Sequence, residues 1–261
     1  MTLFFHELKR NSLSLLIWSC IIAFMLAITV IIYPEMKSQM GELTDMMANM
    51  GAFSDAFGMD KLNFGEFIGY FGTECGNVLG LGGAMFAAIV GISAFGKEEK
   101  EHTAEFLLAH PISRTHVAVS KLASAFVQIV ILNVAVAAAV SASIIVIGEK
   151  SDLKAIPLLF LAYFIMQIEI ASITFGISAF LKSSGLAIGL GISVMLYFMN
   201  IIANLTEEAE FLKYITPFGY TDAGDIISNV AINGTYVAVG MLFSLIAVAI
   251  AFVKYNKKDI S

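Results

Sequence analysis

The sequence predicts an all-α membrane protein, a bundle of six transmembrane helices. Three observations lead there. Of 261 residues, 58% are hydrophobic and only 14% are charged, about half the charged share of an ordinary soluble domain. Mean hydropathy is +0.84. The few charges bracket six long apolar runs, each exceeding the ~20 helical residues needed to cross about 30 Å of hydrocarbon. Helices are the predicted element because an open sheet edge in lipid would leave its peptide groups unpaired.

The runs can be measured between charges. Arg10 and Glu35 enclose 24 uncharged residues, Glu74 and Lys97 enclose 22, and Lys121 and Glu149 enclose 27. Lys182 and Glu207 enclose 24, and Asp225 and Lys254 enclose 28. Between Lys154 and Lys182 lie 27 residues interrupted only by Glu169. These runs place the spans near residues 12–33, 75–95, 121–147, 156–181, 185–204 and 234–254 of a single domain covering 1–261. An amphipathic stretch, LFFHELKRNS, leads into the first span, and the absence of a small-residue cleavage site argues against a cleavable signal peptide. Pro34, Pro111, Pro157 and Pro217 fall at or beyond span ends, where a missing N–H is tolerated.

Six spans put both termini on one side, and the basic residues choose it. With the termini cytoplasmic, ten Lys and Arg lie inside and five outside, while fourteen acidic residues lie outside and six inside. The loops are unequal. The first outer loop, Pro34 to Glu74, is acidic and Met-rich, with Leu43, Met46, Met47, Met50 and Phe53 at helical spacing. It is expected to form an amphipathic helix on the bilayer surface or over the bundle. The second long outer loop, Leu205 to Gly234, reads as short helices broken around Pro217. The inner loop, GKEEKEHTAEFLLAHPISRTHVAVSK, is too rich for a simple turn. A helix from Lys97 would stop at Pro111, and Ser113 would cap the helix of the third span. This elbow either docks a cytoplasmic partner or simply carries the charge its side requires.

Within the spans, Gly72, Gly76 and Gly80 recur every four residues, followed by Gly83, Ala87 and Gly91, with a second small face at Gly185 and Gly189. Such faces let helix backbones approach closely in lipid, within a bundle or between copies. Glu169 is the ionisable residue deepest in a span, where a charge costs at least about 2.5 kcal/mol at the bilayer centre. It is read as lining a path, taking up a proton, or bonding to a neighbouring span.

Several functions are argued against. A net charge of −6 and pI near 5.2 disfavour a nucleic-acid binder. Cys20 and Cys75 lie in apolar runs and read as small apolar residues rather than a disulfide or metal site. His6-Glu7 begins like a zinc motif, but Arg10 stands where the second histidine belongs. Gly91 to Lys97 nearly spells a phosphate-binding loop, yet Glu98 replaces its hydroxyl and a membrane helix precedes it. Gly-Ile-Ser occurs at Gly91, Gly176 and Gly191, but all four histidines lie in cytoplasmic segments, leaving no intramembrane base. No enzyme activity and no metal site are expected in this chain.

The inner loop resembles the first cytoplasmic loop of ABC-2-type transporter permeases, E-x-x-x-G-T-x-E-x-L-L-x-x-P-x-S-R. Thr103, Glu105, Leu107, Leu108, Pro111, Ser113 and Arg114 match it, its leading glutamate falls at the Glu98-Glu99 pair, and His102 stands where the family has glycine. Tyr214-Ile215-Thr216-Pro217-Phe218-Gly219-Tyr220 is similar to the family's L-S/T-P-F-x-Y segment, and the N-terminal LFFHELKRNSLSLLIWS is similar to its amphipathic leading helix. The resemblance implies a permease dimer, of identical or similar chains, in a bacterial or archaeal plasma membrane. Each permease would contact a separate ATP-binding subunit, which holds the ATP and magnesium; this chain would need no cofactor of its own. It implies an exporter in which the N-terminal helix and the elbow receive the ATPase's movement. Glu98, Glu99, Glu101, Glu105 and Arg114 would be docking partners. The alternative is an ion-coupled secondary transporter built on Glu169. The sequence does not select the cargo; the acidic outer side favours a cationic one, although acidity outside is also what topology leaves over.

Overall fold

The computed structural model describes residues 2–48, 56, 61–100, 112–149, 154–181 and 185–258. Among the described residues every regular element is helical. Six helices are long and apolar enough to cross a membrane: Ser12–Lys37, Phe67–Gly96, Arg114–Ile147, Ala155–Ser178, Leu186–Leu205 and Gly234–Lys257. They are called the first to sixth spans. A short amphipathic helix, Thr2–Arg10, precedes them.

The boundaries differ from the charge-bracketed runs in an instructive way. The second span begins at Phe67, upstream of Glu74, and the third at Arg114, seven residues before Lys121. A charged residue therefore does not end a helix when the protein supplies its surroundings. Pro34 lies inside the continuous helix Ser12–Ala48, near the end of the span. Pro157 sits in the first turn of the fourth span, where its nitrogen would have had no intrahelical partner. The side chains of the expected outer-loop amphipathic stretch lie outside the described residues.

The second span is the centre of the bundle: 61% of its most apolar stretch is buried, against 11% for the sixth. It packs chiefly on the fourth span and also on the fifth, while the first packs on the third and the sixth on the fourth. The glycine stripe explains the closest pairing. Gly76 and Gly80 lie against Tyr163, where added methyl groups would stand 3.1 Å from its hydroxyl and its ring respectively. The helix runs as a π-helix over Gly76–Leu81, beside that ring. Gly83 meets Gln167, Gly91 meets Ala171 and Thr174, and Gly189 meets Ile92. The small faces are thus consumed by packing inside one chain. In lipid, where burial from water supplies no drive between helices, such contact is what holds spans together.

The two ends of the bundle are built differently. At one end, Leu3, Phe95, Val117, Phe175, Ala251 and Tyr255 belong to one buried cluster, so the N-terminal helix meets the ends of four spans. At the other, the chain between the fifth and sixth spans forms two 3-10 segments, Glu207–Tyr214 and Pro217–Tyr220, then a short helix, Ala223–Asn229. This hairpin folds back into the bundle. The Thr216 hydroxyl donates to the Leu196 carbonyl at 2.8 Å, and the Tyr163 hydroxyl donates to the Thr221 carbonyl at 3.1 Å.

Candidate coupling site

The third span begins at Arg114, and its first two turns are tied to both ends of the chain. Ser113 caps the helix, its hydroxyl accepting from the His116 N–H at 3.2 Å, which satisfies one of the orphan donors of a helix start. Arg114 follows. Its Nη1 donates to the carbonyls of Tyr255 and Asn256, each at 3.3 Å, and to that of Lys258. Those carbonyls lie at or just beyond the end of the sixth span. They belong to the last turn and cap, where the i to i+4 partners run out, with only the Lys258 N–H reaching back to the Tyr255 carbonyl. They also carry the negative end of the helix dipole, so a guanidinium there supplies donors and complements the dipole. The neighbouring Phe95 and Tyr255 rings stack at 4.2 Å. Lys258 in turn donates to the Leu181 carbonyl, at the end of the fourth span, at 2.7 Å.

Two helical turns on, Lys121 points inward rather than to solvent. Its ammonium pairs with Glu7 of the N-terminal helix at 2.9 Å, with the two side chains only 2% and 5% exposed. Glu7 also accepts from Arg10 at 2.9 Å. Removing the shared acceptor, Glu7, costs about 3–5 kcal/mol, because it strands the buried Lys121 charge. Beside it lies a cavity of about 40 Å³ edged by Asn11, Ser93, Ser124 and Gln128, polar enough to hold water. The start of the third span is therefore bonded both to the N-terminal helix and to the end of the sixth span.

A second buried polar site lies within the membrane. Glu169, on the fourth span, is fully buried, and its carboxyl occupies the space a side chain at Gly240 of the sixth span would fill. Neither carboxyl oxygen makes a direct hydrogen bond. The Tyr220 hydroxyl, at the end of the second 3-10 segment, is the group poised to supply one.

Comparison of the whole chain with known families matches the one described as ABC-2 family transporter protein over residues 1–260. The chain belongs to the ABC-2 transporter family. Comparison with curated proteins finds no match. Members of this family are membrane permeases rather than catalysts.

In this ABC-2 permease the residues singled out from sequence divide into three groups. Glu98 and Glu99 lie in the last turn of the helix Gly82–Lys100, whose backbone continues beyond the second span. Glu101, Thr103, Glu105, Leu107, Leu108 and Pro111 fall outside the described residues. Ser113 and Arg114 stand where the third span starts, Arg114 with its guanidinium turned to the sixth span's carbonyls. The same base also holds two residues not singled out as site candidates from the sequence, Glu7 and Lys121. A signal existed: Lys121 is followed by 27 uncharged residues and Glu7 is the acidic residue nearest the N-terminus. Nothing local says that residues 114 positions apart meet.

Proposed function

We propose that this permease is the membrane-spanning subunit of an exporter driven by a separate ATP-binding subunit, with both termini and the elbow on the cytoplasmic side of a plasma membrane. The observation that carries the reading is the double attachment of the third span's first two turns. The elbow, Glu98 to His116, feeds directly into that helix. Its 34 residues extend roughly 50 Å at 1.5 Å per residue, well beyond the ~30 Å hydrocarbon layer. A push on the elbow by an ATPase would shift a stiff rod, and the rod would take the N-terminal helix with it through Glu7–Lys121 and the sixth span through Arg114. Transmission of this kind needs stiff elements with fixed attachments. The distribution of basic residues supports the orientation. A second permease copy, or a similar chain, would complete the pathway. ATP and magnesium belong to the partner.

The test is co-purification in mild detergent from the native host, with mass spectrometry of what stays bound. An ATP-binding subunit should accompany the wild-type chain and be lost when Glu98, Glu101 and Glu105 are all replaced by Ala. A second reading has one observation behind it: Glu169 is a buried carboxyl without a cationic partner at its side. If the wild-type chain came through alone and Glu169→Gln abolished pH- or sodium-dependent flux, ion-coupled transport would replace the ATP-driven reading.

A further inference from the structure

Away from the proposed coupling end, a cavity of about 60 Å³ opens among the second, fourth and fifth spans and the folded-back hairpin. Its polar wall comes from Thr73 and Asn77 of the second span, Tyr163 of the fourth, Asn200 and Asn204 of the fifth, and Asp222 of the hairpin. The volume is large enough for about four waters, or for one small polar group and the start of its carbon stem. Asn77 lies in the π-helical segment Gly76–Leu81, a deviation found often where helices serve function.

The chemistry of the wall is one-sided. Among the described lining residues there is one carboxylate and no Lys, Arg or His. Asp222 caps the short helix that follows it, accepting from the Asp225 N–H at 3.1 Å. Burial, and next the Asp225 carboxylate, push the Asp222 carboxyl above its usual range, outweighing the opposing pull of its hydrogen bond from the Asp225 N–H and of Lys61 and Lys213. A cation in the cavity would therefore favour its charged form. Lys61 pairs with Asp225 at 2.7 Å. The Asn200 Oδ1 is buried and accepts no hydrogen bond within the chain, an acceptor awaiting a donor. Tyr197 and Phe218, packed edge to face at 5.5 Å, form an aromatic side to the same cavity, and aromatic faces attract cations. A primary ammonium brings three donors and one positive charge. An anion would meet Asp222, and a purely apolar group would leave Asn200 and the carboxylate unmatched.

We infer that this cavity is a binding site for a primary ammonium group, held by Asp222, Asn200 and the aromatic wall. The site does not depend on what drives the permease. The same chemistry is offered by an amine-bearing cargo and by an ethanolamine lipid headgroup.

The experiment uses the full chain in sealed vesicles, with Cys20 and Cys75 replaced by Ala and a single thiol introduced at the cavity wall by Asn204→Cys. A parallel chain carries Ile201→Cys in its place, should the first not fold. The thiol is modified with aminoethyl methanethiosulfonate, which carries a primary ammonium, and with neutral methyl methanethiosulfonate, each rate normalised to a free thiol in solution. The cationic reagent should react about tenfold faster, the effect of one nearby carboxylate at an effective dielectric of about 20. Asp222→Asn, which keeps the helix cap, should bring the ratio close to one. A ratio near one in the parent chain, or one unchanged by Asp222→Asn, overturns the site as a cavity for water alone. Protection then names the source. Slower labelling by n-hexylammonium in phosphatidylcholine vesicles points to a soluble amine, and slower labelling on adding phosphatidylethanolamine points to the headgroup. Protection by neither, or equal protection by n-hexanol, overturns the assignment.

Discussion

The base of the third span and the interior of the fourth treat buried polarity in opposite ways. At the base the charged side chains and the cap have protein partners: Lys121 and Arg10 converge on Glu7, Arg114 on three carbonyls, Ser113 on an N–H. Unmatched neutral polarity there lies at the small cavity, on the Ser93 hydroxyl and the Gln128 Oε1. In the interior, both Glu169 oxygens, the Tyr220 hydroxyl, the Asn133 Oδ1 and the Gln167 Nε2 are buried without one, even though Asn133 and Gln167 bond to each other at 2.6 Å. A satisfied buried network holds its members in one arrangement, whereas an unsatisfied buried group costs free energy until something supplies its partner. The contrast separates a part built to move as one body from a part able to accept water, a proton or a ligand.

The sharpest way to break the comparison is to strand the charges at the base. Glu7→Leu removes the acceptor shared by two cations and should cost about 3–5 kcal/mol. Lys121→Met leaves Glu7 bonded to Arg10 and should cost less, about 1.5–3 kcal/mol, the loss of one charged hydrogen bond. Replacing both together should recover much of the loss, since an apolar pair of similar volume can match a buried ion pair. Denaturation in mixed micelles, monitored by the Trp18 fluorescence, measures all three. Equal costs for the two single variants, or simple additivity in the double, would show that the pair does not clamp the N-terminal helix.

The interior offers a smaller and differently shaped effect. A methyl group at Gly240 would overlap the Glu169 carboxyl, so Gly240→Ala should destabilise by about 1–3 kcal/mol through overpacking. Adding Glu169→Ala to the same chain should return most of that, because two residues in contact do not behave additively. A double variant as unstable as the sum of its parts would mean that the sixth span does not rest on this carboxyl.

The same contrast explains what could be seen in the sequence. The spans were legible because lipid imposes a length and a composition that no packing detail can relax. The ammonium-sized cavity and the clamp were not. In an isolated helix Lys121 would border the third span, but here the helix already begins at Arg114 because Glu7 takes the charge. Hydrophobic periodicity reports neighbours three and four residues apart, and this pairing crosses 114 residues of chain. Likewise Pro217 marks a break in the sequence, but not that Tyr220 returns to face Glu169. The glycine stripe was visible as a packing face, while its partner, Tyr163 on the fourth span, depended on the fold.

The smallest expected effect tests whether the base acts as one unit. Ser113→Ala removes the cap of the third span and should cost about 1 kcal/mol, while Ser113→Asp should be neutral or slightly stabilising beside the positive end of the helix dipole. Stability alone would not distinguish a local cap from part of a larger tie. Amide hydrogen exchange does. Loss of the cap loosens the first turn that carries Arg114, and Arg114 is bonded to carbonyls at the end of the sixth span. Exchange should therefore rise at residues 115–117 and also in the last turn of the sixth span, around Tyr255 and Lys257. Acceleration confined to residues 115–117 would mean that Arg114 holds its carbonyls whatever the first turn does. A movement arriving at the elbow would then have no route to the sixth span through this contact.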